Sequence, residues 1–298
     1  MTRSRATHSG RTPMVMLGVI CCVYAIARAM EIFALSGASP APNLALVAMD
    51  VLSAMAFALV HGALQYRLRG ILVFVGICLV VGNVSENLGV LTGFPFGRYQ
   101  FGTIMGPKLF HVPVLLGLAY IGMAYVSWMV ARMIVLGAPD ACRRNSLLTL
   151  PLVASFVMVS WDLAMDPVWA TVIHAWTWFD GGPWIGVPIS NFLGWFGTVF
   201  VIYLVFAQYV RRKPARPATP RTQIFELSPA FFYLLCAAGN AAQLAARPAS
   251  LIVFDGAGHS WHAKDAIIVS GAVSLFLMGG FAAAALISLG QRSKPATN

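Results

Sequence analysis

Eight runs of about 20 mostly apolar residues dominate this chain, and each is long enough to cross a bilayer as a helix. They fall at 14–35, 44–64, 70–91, 112–136, 146–165, 190–210, 229–244 and 265–289. The seventh is the weakest, being short and carrying Asn240 and Gln243. Over the 298 residues, 59% are hydrophobic and only 10% charged, against roughly 25% charged in soluble domains. A soluble protein of this size could not bury so much apolar surface. The expected fold is therefore all-α: a polytopic integral membrane helix bundle of about eight transmembrane helices.

Basic residues set the orientation. The net charge of +10 could suggest nucleic acid, but Lys and Arg cluster in short segments between the apolar runs, and no nucleic-acid partner is expected. Arg3, Arg5, Arg11, Arg67, Arg69, Arg132, Arg143, Arg144, Arg211, Arg212, Lys213, Arg216, Arg221, Arg292 and Lys294 all fall on one side of an eight-span topology. Arg98, Lys108, Arg247 and Lys264 fall on the other. The positive-inside rule then places both termini in the cytoplasm and the chain, as a multi-pass protein, in the cytoplasmic (inner) membrane. This divides it into a tail at 1–13, one transmembrane catalytic domain at 14–290 and a tail at 291–298. Arg28 lies inside the first span and is spaced i, i+3 from Glu31, as in a structural ion pair. Ala27-Arg28-Ala29 resembles a signal-peptide cleavage site, but the basic head favours an uncleaved helix.

Two long aromatic connections, 92–111 and 166–189, fall on the outer side. In the second, Asp166 and Pro167 suit the N-cap and first residue of a short interfacial helix. By depth, Glu31, Asp50, Glu86, Asp162, Asp265 and Asn191 belong to the outer half of the bilayer. Seven of the eight tryptophans map to the same end; Trp176, Trp178, Trp184 and Trp261 read as interfacial anchors. Intramembrane carboxyls usually face a cavity or a partner. One outer pocket lined by carboxyls and aromatics therefore follows. Asp162 and Asp166 share a helix face, where two close carboxyls can keep one of them as an acid. Glu86 beside its glycine-rich loop is a further candidate, with pairing to Arg98 or Lys108 as the structural alternative.

Absences narrow the chemistry. Five cysteines form no C-x-x-C pair, and the six histidines are scattered, so neither a zinc site nor a di-iron cluster is expected. No Asp-Asp-x-x-Asp motif or phosphate-binding loop occurs. What remains is acid–base chemistry without metal or cofactor, or binding and transport.

The run from Glu86 through Gly97-Arg98-Tyr99, with Gly106-Pro107 and Val112-Pro113, resembles the carotenoid biosynthesis family that includes membrane carotenoid 1′,2′-hydratases and bisanhydrobacterioruberin hydratase. So does Trp161-Asp162-x-x-x-Asp166-Pro167, followed by Trp176-x-Trp178, Gly186-Val187-Pro188 and Asn191-Phe192-x-Gly194-Trp195. The resemblance implies addition of water to the terminal double bond of a carotenoid or related linear isoprenoid, by carboxylic-acid protonation and a tertiary carbocation. Asp162 and Asp166 are then the expected acid and its partner, and Glu86 an alternative acid or the base for water. Phe94, Phe96, Tyr99, Trp161 and Trp195 would face the cation, and His111, Trp169 and Asn191 would complete the substrate pocket. Membrane lipid and other enzymes of the same pathway are the further partners implied. A proton-initiated terpene or carotenoid cyclase and a non-catalytic isoprenoid carrier or transporter are the alternatives.

Overall fold

The computed structural model describes residues 3–35, 44–137, 146–213, 222–245 and 251–292. Arg143, Arg144, Arg216, Arg221, Arg247 and Lys294 of the charge pattern, with most of the 291–298 tail, lie outside the described residues. Helix α1 (Arg3–Leu35) already runs through the segment read as an N-terminal tail. It is followed by α2 (Leu44–Thr92), α3 (Val114–Gly137), α4 (Ser146–Asp166), α5 (Ile189–Arg212) and α6 (Gln223–Ala242). The last helical stretch consists of α7 (Ala263–Val273), a π turn at Ser274–Met278 and α8 (Gly279–Arg292). Seven helical stretches among the described residues are long and apolar enough to cross a membrane, and the protein is an all-α polytopic bundle.

The 49-residue α2 covers two of the apolar runs read from the sequence. Its backbone breaks at Arg67, which has φ 59° and ψ 167°. A Cβ on Gly62 would meet Ile71 Cδ1 at 2.4 Å, although in a straight helix these residues would sit ~14 Å apart. The chain therefore turns back at Arg67, and the two arms pack against each other beside the break.

Helix α3 is the hub. In its apolar window 72% of residues are buried, against at most 56% in any other stretch, and it packs on α2, α4, α6 and α8. In lipid, helices associate by close van der Waals fit and small residues rather than by hydrophobic burial. Gly122 shows the fit: a Cβ there would lie 2.7 Å from Ala54 Cβ and 2.8 Å from the Ala54 carbonyl carbon. Outward-facing Val80, Val84, Leu193 and Phe276 stay exposed, as lipid contacts require.

The connections between helices carry short strands that helical periodicity does not announce. Strand β1 (Tyr99–Phe101) pairs antiparallel with β4 (Trp176–Trp178) in the register Tyr99↔Trp178, Gln100↔Thr177 and Phe101↔Trp176. This sews the first long connection onto the second. Between them, β2 (Lys108–Leu109) and β3 (Val112–Pro113) form a small hairpin leading into α3. A third hairpin, β5 (Ile252–Phe254) and β6 (Ser260–His262), covers the second connection; Gly256 there packs on the Trp178 carbonyl.

The expected interfacial helix starting at Asp166 does not exist as a separate element. Asp166 has helical φ/ψ of −59° and −42° and caps nothing; α4 continues through it into a π turn at Pro167–Val172. Pro167 has no N–H for the Leu163 carbonyl. The indole of Trp184 supplies that donor instead, at 3.1 Å, so Trp184 is a helix-mending contact rather than a simple anchor.

Replacing Gly122 by Leu should lower stability by about 1–3 kcal/mol, the usual cost of overpacking. The midpoint of thermal unfolding in detergent checks this, and an unchanged midpoint would contradict the close α2–α3 contact.

Candidate active site

Asp162 and Asp166 occupy the last turn of α4, one helical turn apart on the same face, and both are buried. Asn191, two residues into α5, reaches across to them. Its Nδ2 donates to Asp166 Oδ2 at 2.6 Å and to Asp162 Oδ2 at 3.2 Å. Trp176 Nε1 donates to the other oxygen of Asp166, Oδ1, at 2.6 Å. Asp166 is thus fully engaged, while Asp162 accepts one long bond.

Glu86 enters from the second arm of α2. Tyr99 Oη donates to its Oε2 at 2.5 Å, and Tyr120 Oη from α3 donates to its Oε1 at 2.7 Å. Neither Arg98 nor Lys108 takes up this carboxyl. Arg98 instead forms an exposed ion pair with Asp180, hydrogen bonding to it and holding its carboxyl below the ordinary range. Lys108 Nζ donates to the Phe101 carbonyl at 2.8 Å. Both contacts pin the loops without entering the pocket.

Strand alternation builds the aromatic wall. Residues two apart in a strand share a face, so Tyr99 and Phe101 of β1 and Trp176 and Trp178 of β4 are all buried. Tyr99 packs on Trp178 with ring centroids 4.7 Å apart. Trp195 stacks on Tyr120 at 4.5 Å and 5°. Phe96 fits because Gly89 and Gly194 have no side chains: a Cβ on either would approach its ring within 2.7 Å.

Glu86, Asp162 and Asp166 thus line one cavity with Phe96, Tyr99, Phe101, Leu116, Trp176, Trp178, Asn191 and Trp195. No Lys or Arg lines it. The void is large enough for a water molecule. Two polar atoms at its edge, Asn191 Oδ1 and Trp178 Nε1, are buried without a hydrogen-bond partner. Among the described residues, no group of three or more His, Cys, Asp or Glu is arranged to hold a metal.

The sequence-derived site residues separate into three groups. Glu86, Asp162, Asp166, Phe96, Tyr99, Asn191 and Trp195 converge on this cavity. Trp161 and Trp169 line a neighbouring chamber, with Trp169 stacked on Trp176 at 6.3 Å. Phe94 is 69% exposed and faces a separate groove between α2 and α5. His111 is also exposed, its backbone N–H donating to Asn87 Oδ1 at 3.1 Å. Arg28 and Glu31 form a buried ion pair. Tyr120 is hidden in an apolar run that carries no signal for it, and Trp176 and Trp178, which read as anchors in the sequence, line the cavity instead. The alternation Trp176-x-Trp178 opposite Tyr99-x-Phe101 is the signal of a paired strand that would have placed them.

The family described as carotenoid biosynthesis protein matches residues 43–256, a range that contains every residue lining the cavity. Bisanhydrobacterioruberin hydratase of Haloarcula japonica is 30% identical over 122 residues, which cover 41% of this chain and 39% of that protein. No solved structure matches the chain. From the family match across most of the bundle, the chain is a member of the carotenoid biosynthesis protein family.

Proposed function

We propose that this protein is a cofactor-independent membrane hydratase, adding water across the terminal trisubstituted double bond of a linear carotenoid or related isoprenoid. In this reading the two arms of α2 cross the membrane separately. That gives eight spans, with both termini in the cytoplasm and the acid cavity toward the outer face of the cytoplasmic membrane. The observation that carries the reading is the unequal treatment of three buried carboxyls in one aromatic pocket without a cation. Burying charge without a partner is costly, so such a pocket is suited to holding a proton. Asp166 and Glu86 each accept two short bonds, whereas Asp162 accepts only one, at 3.2 Å. Asp162 is therefore the carboxyl free to carry and release the proton.

Asp162 gives its proton to the less substituted alkene carbon, leaving a tertiary cation. Tyr99, Trp178 and Trp195 present aromatic faces to it, worth about 2 kcal/mol each when desolvated. Water held at Asn191 Oδ1 attacks the cation, and its surplus proton returns to the carboxyl cluster through Asp166 or Glu86. Acid–base catalysis contributes about 10²–10⁴-fold, so cation stabilisation must supply much of the remainder. The unpartnered Asn191 oxygen and the space for a water beside it favour hydration over cyclisation, for which an unbroken aromatic wall would serve better.

Two outcomes are expected. In a host accumulating linear carotenoids, the protein should yield pigments heavier by one water, and Asp162→Asn should abolish them while the protein stays in the membrane. Isomers of unchanged mass would instead indicate a cyclase, and no change with several linear isoprenoids would leave a carrier. Replacing Asn191 by Leu keeps the volume but removes both the shared donor and the free acceptor. Hydrate formation per protein should then fall about 10²–10³-fold, as for loss of an oriented polar group in a dry site. Turnover at the wild-type rate would remove Asn191 from the mechanism.

A further inference from the structure

A second, larger chamber adjoins the acid pocket and shares Leu116 and Trp176 with it as common walls. Its sides are apolar, including Val51, Ala119 and Met165, but it also contains charged groups. Arg28 and Asp50 line it, together with Asn240. Arg28 pairs with buried Glu31, approaches Asp50 at 3.7 Å and donates to Asn240 Oδ1 at 2.8 Å. One guanidinium thus faces two carboxyls.

These partners do not exhaust the polar atoms. Arg28 Nε, Glu31 Oε1 and Asp50 Oδ1 are buried with no protein partner, although the Arg28 and Glu31 side chains are only 6% and 5% exposed. Buried polar groups left over by the protein are the usual partners of internal water, which makes about three hydrogen bonds. The chamber has room for such water.

Hydration consumes one water per turnover in a pocket otherwise walled by aromatic rings. We propose that the second chamber is a water antechamber: Arg28 and Asp50 recruit the co-substrate, and it passes between Leu116 and Trp176 to Asp162 and Asn191. The inference rests on the hydratase reading above. It assigns the chamber to water rather than to a stretch of the isoprenoid chain, and gives the Arg28–Glu31–Asp50 cluster a role beyond joining α1 to α2.

Turnover in heavy water separates these assignments. The acid delivers a deuteron to the alkene CH carbon, forming the C–D bond as the π bond breaks. The cation then has two exits. Capture by water, with loss of one deuteron to the carboxylate, gives the alcohol. Loss of a proton from an adjacent carbon to the carboxylate restores an alkene that now carries deuterium. Ala119→Met on α3 and Val51→Phe on α2 fill the chamber from two helices and leave every acid-pocket residue in place, so either serves if the other fails to fold. For both, the ratio of alcohol formed to deuterium in recovered alkene should fall about tenfold, equivalent to about 1.4 kcal/mol between the two exits. If alcohol and exchange decline together at constant ratio, the chamber holds substrate and the inference is overturned. An unchanged rate and ratio overturns it as well. A wild-type protein that forms alcohol from no linear isoprenoid would sink the hydratase reading itself, a result distinct from either of these.

Discussion

A carboxyl group in a dry interior is costly unless donors or protons meet it, and this requirement ties one end of the bundle together. Glu86, Asp162 and Asp166 stand on two helices separated by the whole of α3. Their donors come from three further places: Tyr99 and Trp176 on paired strands, Tyr120 on the hub helix and Asn191 at the start of α5. Losing any of these would strand a buried acceptor. The loops are therefore part of the packed interior, and the β1–β4 register is held by the same contacts that satisfy the acids.

The same arrangement sorts the three carboxyls by availability. Two accept a short bond at each oxygen, and the third accepts a single bond at 3.2 Å. Proton transfer to an alkene needs a donor that can release its proton and neighbours that stay fixed. In the proposed hydration Asp162 takes the first role, and Asp166 and Glu86, clamped by indole, amide and phenols, take the second. Of the rings that clamp them, Tyr99 is also a proposed cation face, and the other two faces, Trp178 and Trp195, pack directly on Tyr99 and Tyr120.

Much of this was legible in the residues. Apolar run length announced a membrane bundle, and the spacing of Asp162 and Asp166 placed them on one face. The depth of Glu86 and Asn191 brought them to the same end. The turn at Arg67 was visible as a basic pair, Arg67 and Arg69, between apolar runs. What escaped was set by tertiary pairing. Three-residue strands leave too short an alternation to stand out among aromatics, so Trp176 and Trp178 looked like interfacial anchors. The continuation of α4 past Pro167 depends on Trp184 supplying the donor that proline lacks, a contact no local pattern announces. His111 and Phe94 sit in the right segments but are exposed and do not line the cavity.

The central claim is that oxygen enters from water through a carbocation formed by a carboxylic acid. Incubating the purified protein with a linear carotenoid under nitrogen, in water labelled with heavy oxygen, tests it most directly by product mass. The account predicts one labelled oxygen and two added hydrogens for each end group converted. A product of unchanged mass, or one whose added oxygen is unlabelled, would contradict it.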